Sequence, residues 1–179
     1  MAAAIIVVVL VSAIGGTIAA VSSSRGAESD RRAAIDDYTG QVRTLLQEVS
    51  GPASQMGAWP PEPSARELKS LPDAITRWKN ALKTARNGAD VLQPPESLRP
   101  VNMLFVHSII EYLSAVETFE VAATLDGAAR LRVLDTAADD RNRATALWTT
   151  GVALLDQARA DAGLSASNIG SPLLGTPPG

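Results

Sequence analysis

The 179-residue chain has no cysteine and a single histidine, His107. The first absence removes disulfides, thiol chemistry and cysteine-ligated metal sites. The second removes the paired Glu-x-x-His motifs that a di-iron centre draws from two helices of a bundle. With no G-x-S-x-G elbow, no P-loop and no glycine-rich dinucleotide motif, the usual hydrolase, nucleotide and dinucleotide signatures are also missing. Aromatic residues are few: three Trp, two Tyr and two Phe. A core dominated by Ala, Leu and Val is therefore expected, built by close helix packing rather than by large rings. No segment alternates β-branched residues with period two, so no sheet is expected. A net charge of −3 excludes nucleic-acid binding by bulk electrostatics.

Charge is also absent from the beginning of the chain, where no Lys, Arg, Asp or Glu precedes Arg25. Residues 2–21 read AAAIIVVVLVSAIGGTIAAV. At about 1.5 Å per helical residue they cover roughly 30 Å, the hydrocarbon thickness of a bilayer. The length of the run and the missing basic n-region favour an uncleaved transmembrane helix; the alternative is a signal cleaved near Ser22, where Ala20-Val21-Ser22 offers small residues. Arg25, Arg31 and Arg32 follow the run, and counted literally they would hold the rest of the chain in the cytoplasm. A span starting at residue 2 leaves almost no flank to count, however, and short N-terminal apolar segments on small domains mostly serve export. The expectation is a single-pass cell-membrane protein with its folded domain extracytoplasmic.

The remainder divides into a linker at 25–34, a helical domain at 35–163 and a Ser/Gly/Pro-rich tail at 164–179 that reads as disordered. Ile35, Tyr38, Val42, Leu45, Leu46, Val49, Ala53 and Met56 form one helical stripe, with an end or kink expected at Gly51-Pro52. The rigid loop GAWPPEP places Trp59 among prolines, as a lid on the bundle end or as a recognition element. Ser64-Ala65-Arg66-Glu67 is a capping box opening a second helix, whose stripe runs Leu68, Leu71, Ile75, Trp78, Leu82, Ala85, Ala89 and Leu92. Pro72 suggests a restart one turn in, capped by Ser70. After Gln93-Pro94-Pro95, residues 98–125 are apolar on more than one face, which predicts a buried third helix. Asp126-Gly127 ends it, with Gly127 in a left-handed conformation. The fourth helix runs from about Ala128 to Ala162. Its stripe (Leu131, Leu134, Ala138, Trp148, Val152, Leu155) is interrupted by Arg141 and Thr145, where a bend, an exposed turn or a polar contact is expected. Short connections make neighbours antiparallel, giving an all-α, up-down-up-down four-helix bundle preceded by the transmembrane helix.

The break Pro94-Pro95-Glu96, followed by Leu98 and a long apolar helix, resembles uncharacterised bacterial exported or membrane-anchored helical-bundle proteins over about residues 34–164. The resemblance carries no activity.

Candidate contact residues are Trp59; Lys79, Lys83 and Arg86 on the basic face of the second helix; and His107, Glu111 and Tyr112 on the third. His107 and Glu111 share a helix face, but one imidazole cannot close a metal site, and a half-buried histidine beside a carboxylate is the simpler expectation. The carboxylate pairs Asp36-Asp37 and Asp139-Asp140 point different ways on a helix and are expected to be solvated. The expected role is non-enzymatic: binding or structural work at the cell envelope, with the membrane and a protein or envelope component as partners and no metal, cofactor or nucleic acid. The alternative is a small-molecule-sensing or catalytic bundle with a pocket around His107.

Overall fold

A computed structural model describes the backbone of residues 2–173 and the side chains of residues 26–173. The described residues form four α-helices and no strand: α1 Ala2–Gly57, α2 Ala65–Asp90, α3 Arg99–Ala123 and α4 Gly127–Asp161, with a 3-10 turn at Glu96–Leu98 leading into α3. The side chains of the expected membrane span, residues 2–21, lie outside the described residues. Among the described residues no helix is long and apolar enough to cross a membrane.

The apolar stripes decide the packing. All eight stripe residues of α1, Ile35 through Met56, are buried, as are Leu71, Ile75, Trp78, Leu82, Ala85 and Ala89 of α2. Each fully buried Leu, Ile, Val or Phe contributes about 1.5–3 kcal/mol relative to exposure. Contacts between the stripes run in opposite directions along successive helices. The Trp78 indole donates to Gln55 Oε1 at 2.8 Å, while Leu45 lies against Gly88 further down the same pair. Lys79 of α2 pairs with Glu120 of α3 at 2.8 Å. Along α3 and α4, the Ser108 hydroxyl donates to the Ala144 carbonyl at 2.8 Å and the Thr118 hydroxyl to Asp140 Oδ2 at 2.9 Å. Arg159 of α4 closes the ring onto Asp36 of α1 at 2.8 Å. The capping box forms as the sequence predicts: the Ser64 amide donates to Glu67 Oε2 at 2.7 Å and the Glu67 amide to Ser64 Oγ at 3.3 Å. The Ser64 hydroxyl, which also donates to Glu67 Oε2 at 2.7 Å, and the Ser64 amide hold the Glu67 carboxyl below the usual carboxylate range.

Several local expectations are corrected. The segment expected to be a linker is part of α1, which runs through it without a break. Of the end or kink expected at Gly51-Pro52, the end does not occur, since α1 continues through it. Pro52 lacks an N–H and frees the Glu48 carbonyl, but Glu48 is exposed, so water can satisfy it, while Pro52 itself is buried. Pro72 is likewise absorbed into a continuous α2, and Ser70 bonds back to the Glu67 carbonyl instead of capping a new start. Helix α3 is not apolar on a wholly buried surface, since Met103, Ile110 and Val121 are 52%, 42% and 52% exposed. On α4, Leu131 is exposed; Ala137 and Ala144 join Leu134, Trp148 and Leu155 in the buried set. The interruption of that stripe resolves as polar contacts: Arg141 Nη1 donates to the Met56 carbonyl at 3.2 Å, and Thr145 meets the Tyr112 hydroxyl at 2.8 Å.

The few rings do more than their number suggests. Trp78, Trp148, Tyr38, Tyr112 and Phe105 are the largest fully buried side chains. Trp59, Trp78 and Phe119 meet edge to face, with centroids 5.3–6.2 Å apart. Phe105 and Trp148 form a second pair at 4.9 Å. Helix α4 admits the Phe105 ring only because residue 151 is glycine. A Cβ there would sit 2.9 Å from Phe105 Cε1, closer than non-bonded carbons tolerate.

Residues 164–173 are not a disordered tail. Gly163 ends α4 with φ +69°, and the bonds from the Gly163 amide to Ala160 O (2.9 Å) and from the Leu164 amide to Arg159 O (2.8 Å) make a Schellman turn. That turn sends the chain back between α1 and α4 as an irregular strap. Arg159 Nε donates to Ser165 O at 2.7 Å, Arg43 Nη2 to Ser167 O at 2.9 Å, the Ser167 amide to Asp156 Oδ1 at 2.6 Å and Trp148 Nε1 to Gly170 O at 3.2 Å. Ser167, Ile169 and Pro172 are buried. Ordering such a polar segment costs conformational entropy; fixed partners on two helices and the buried Ile169 offset it.

Candidate functional site

The sequence-predicted contact residues do not converge. Lys79 is committed to Glu120, and Arg86 to Asp90 one turn away at 3.0 Å. Of the three basic candidates on α2, only Lys83 is without an ion pair among the described residues, and it is exposed. His107 is also exposed, on the outer side of α3. Glu111, half-buried, lies 3.6 Å from Arg143 Nε. Tyr112 is fully buried and hydrogen-bonded to Thr145. Burial pushes its phenol up to about 12, against the opposing effects of the Thr145 bond and the Arg141 charge. Tyr112 therefore stays protonated at neutral pH. Asp139 is exposed as expected, but Asp140 is buried, held by the Thr118 hydroxyl and an ion pair with Arg143. No group of three or more His, Cys, Asp or Glu is placed to hold a metal ion among the described residues.

Trp59 leads to a different place. The end of α1 turns at Gly57 through bonds from the Ala58 amide to Ser54 O (2.9 Å) and from the Trp59 amide to Met56 O (3.3 Å). Pro60 and Pro61 then stop any return to helix. This rigid exit lays the half-buried indole against Trp78 and Phe119. It lids the bundle end, as one of the two sequence readings proposed. Arg141 reaches the same place from α4. Its Nη1 donates to Met56 O at 3.2 Å and its Nη2 to the neighbouring Asn142 Oδ1 at 2.9 Å.

Between them is a half-open pocket of about 210 Å³, walled by Met56, Trp59, Pro60, Phe119, Leu134 and Arg141, with Asp135 also on its lining. Two buried side-chain donors lack an acceptor among the described residues, Trp59 Nε1 and Arg141 Nε; both belong to residues that line this pocket, but the nitrogens themselves are closed off from water. No carboxylate lies within ion-pair distance of Arg141 among the described residues, in contrast to Lys79, Arg86, Arg130 and Arg143. Buried polar groups in folded proteins are nearly always paired, so two orphaned donors on neighbouring residues make this end of the bundle unusual. Two other hollows lack this feature. One, of about 360 Å³ by Pro63, Leu68 and Leu131, includes Arg130, which already bonds Asp126 and the Ala122 carbonyl. The other, of about 220 Å³ between Leu45 and Ala85, has no unpaired buried donor on its lining residues.

Sequence reasoning singled out Trp59 and saw Arg141 only as a break in a stripe. Its signal was a cationic residue on an otherwise inward-facing line. Comparison with protein-family models, curated proteins and solved structures finds no match.

Proposed function

We propose that the chain is a non-enzymatic binding module held at the cell membrane by residues 2–21, its bundle outside the cytoplasm and the Trp59 pocket its working end. The observation that carries the reading is the half-open pocket of about 210 Å³ at the bundle end, walled by Met56, Trp59, Pro60, Phe119 and Leu134 with Arg141 beside them. Small-molecule sites are typically of this kind, an apolar concavity with a few convergent polar groups. The tether rests on the uncharged run that precedes Arg25, which is long enough to span a bilayer.

Fractionation of cells expressing the full chain tests the tether and its side. The protein is expected to remain in the membrane pellet after an alkaline wash, and protease added outside intact cells is expected to remove a C-terminal tag. Recovery of a soluble mature chain beginning near Ser23 would overturn the tether; a protected tag would overturn the extracytoplasmic placement.

A further inference from the structure

We propose that a second copy of this chain packs antiparallel on the outer face of α3. From Pro100 onward the exposed residues of α3 are Pro100, Met103, His107, Ile110, Ser114, Glu117 and Val121. They follow steps of three and four, the spacing of a seam between two packed helices. Six large apolar side chains are exposed among the described residues, and three of them, Met103, Ile110 and Val121, stand on this one line. Scattered singly, such residues are ordinary; aligned along a helix face, they mark an interaction surface. The flanks are polar and already paired, Lys79 with Glu120 on the α2 side and Arg143 with Glu111 on the α4 side. An apolar line with a polar rim is the anatomy of a protein contact.

Charge selects the partner and its direction. His107 and Glu117 are the only ionisable groups on the line. When two copies meet antiparallel about the level of Tyr112, Met103 faces Val121, His107 faces Glu117 and Ile110 faces Ser114. Each pair occurs twice, as a two-fold axis requires, and each imidazole N–H has a carboxylate opposite to accept it. A parallel pair would set Glu117 against Glu117, like charges that repel. Antiparallel registers shifted by seven residues would leave Met103 or Val121 without a facing residue on α3. Direction has a further consequence. The Tyr38 hydroxyl donates to Asn102 Oδ1 at 3.0 Å near the start of α3, and Trp59, just past the end of α1, meets Phe119 near the end of α3. Helices α1 and α3 therefore run the same way, and in the antiparallel pair the two α1 N-termini leave at opposite ends. With the tether proposed above, on which this step rests, the pair joins two facing membranes. The seam from Met103 to Val121 is about 27 Å long and one helix wide, at the small end of specific interfaces. One contact is weak, and many copies confined to two apposed surfaces make it effective.

The chain has no cysteine of its own, so disulfide trapping reads the geometry directly and captures even a weak pair. Two differently tagged full chains, one with Met103→Cys and the other with Val121→Cys, are mixed in zwitterionic micelles, with micelles in excess, and oxidised. The mixed disulfide between positions 103 and 121 is expected to dominate. In the antiparallel pair the two copies of position 103 lie about 27 Å apart, far beyond a disulfide's reach. His107→Glu in both chains sets carboxylates against each other and is expected to slow trapping about tenfold; adding Glu117→Lys is expected to restore it, which also shows that the variant is folded. A dominant disulfide between two copies of position 103 would overturn the antiparallel direction. No disulfide in any combination would overturn the contact itself, and trapping that His107→Glu leaves unchanged would overturn the register. The cysteine-free chain, reconstituted facing outward in phosphatidylcholine vesicles, is expected to clump them, and His107→Glu to disperse them. Mixed disulfides without clumping would overturn the bridge while leaving the pair, and the alkaline wash above reads the tether separately.

Discussion

Phe105→Ala is expected to destabilise the bundle by about 3–5 kcal/mol, the range for removing a large ring from a close-packed core. Phe105 is fully buried, packed edge to face on Trp148 and close enough to α4 that only glycine fits at 151. Little can collapse into the space it would leave, because the facing backbone is already in contact with the ring. His107→Ala, two residues away on the exposed side of the same helix, is expected to cost under about 1 kcal/mol. Urea melts of the two variants give an internal comparison that does not depend on the absolute stability of the domain. Equal or reversed costs would mean that α3 is rotated relative to the structure described here, with the His107 face inward.

Ending the chain at Gly163 is expected to cost about 2–4 kcal/mol, from lost apolar burial and lost hydrogen bonds net of the ordering entropy regained. The strap covers α1 and α4 with Ile169 and Pro172 and accepts hydrogen bonds from Arg43, Trp148 and Arg159. Arg159 is the most consequential of these. It is buried and uses Nη1 on Asp36 and Thr39 of α1 and Nε on the strap, so one cation fastens three segments. Without residues beyond 163 the Arg159 guanidinium loses a carbonyl and the Trp148 indole loses its one acceptor among the described residues. A urea midpoint equal to that of the full chain would show that the strap adds nothing to stability.

The helices were legible because burial in a bundle is periodic. Every three-to-four step from Ile35 to Met56 corresponds to a buried side chain, and Ser64 with Glu67 caps α2 as the spacing implies. The strap was not legible, because its order comes from partners far away in the chain. Ser, Gly and Pro carry no periodic signal, and only the folded α1 and α4 supply Arg43, Trp148 and Asp156 to receive it. Prolines misled for a related reason: a missing N–H is a local cost, and at Pro52 packing against the core outweighs it. The basic face of α2 was overcounted, since sequence shows charges and not their partners; Lys79 and Arg86 are spent on Glu120 and Asp90. Half of the candidate site was visible in Trp59 among its prolines. The other half, Arg141, became meaningful only once α4 was placed beside the end of α1.

The central claim is that Arg141 belongs to a binding pocket at the bundle end and is not needed to hold the fold. A half-buried cation without a counter-ion stabilises little, and replacement by an apolar side chain of similar reach is often neutral or favourable. Residues kept for function characteristically break the rules that the rest of the protein obeys. The urea midpoint of Arg141→Met measures this directly. The account predicts a midpoint equal to or above that of the unmodified chain. A loss of more than about 1 kcal/mol would contradict it, because Arg141 would then be a structural strut whose bond to the Met56 carbonyl matters more than its place on the pocket lining.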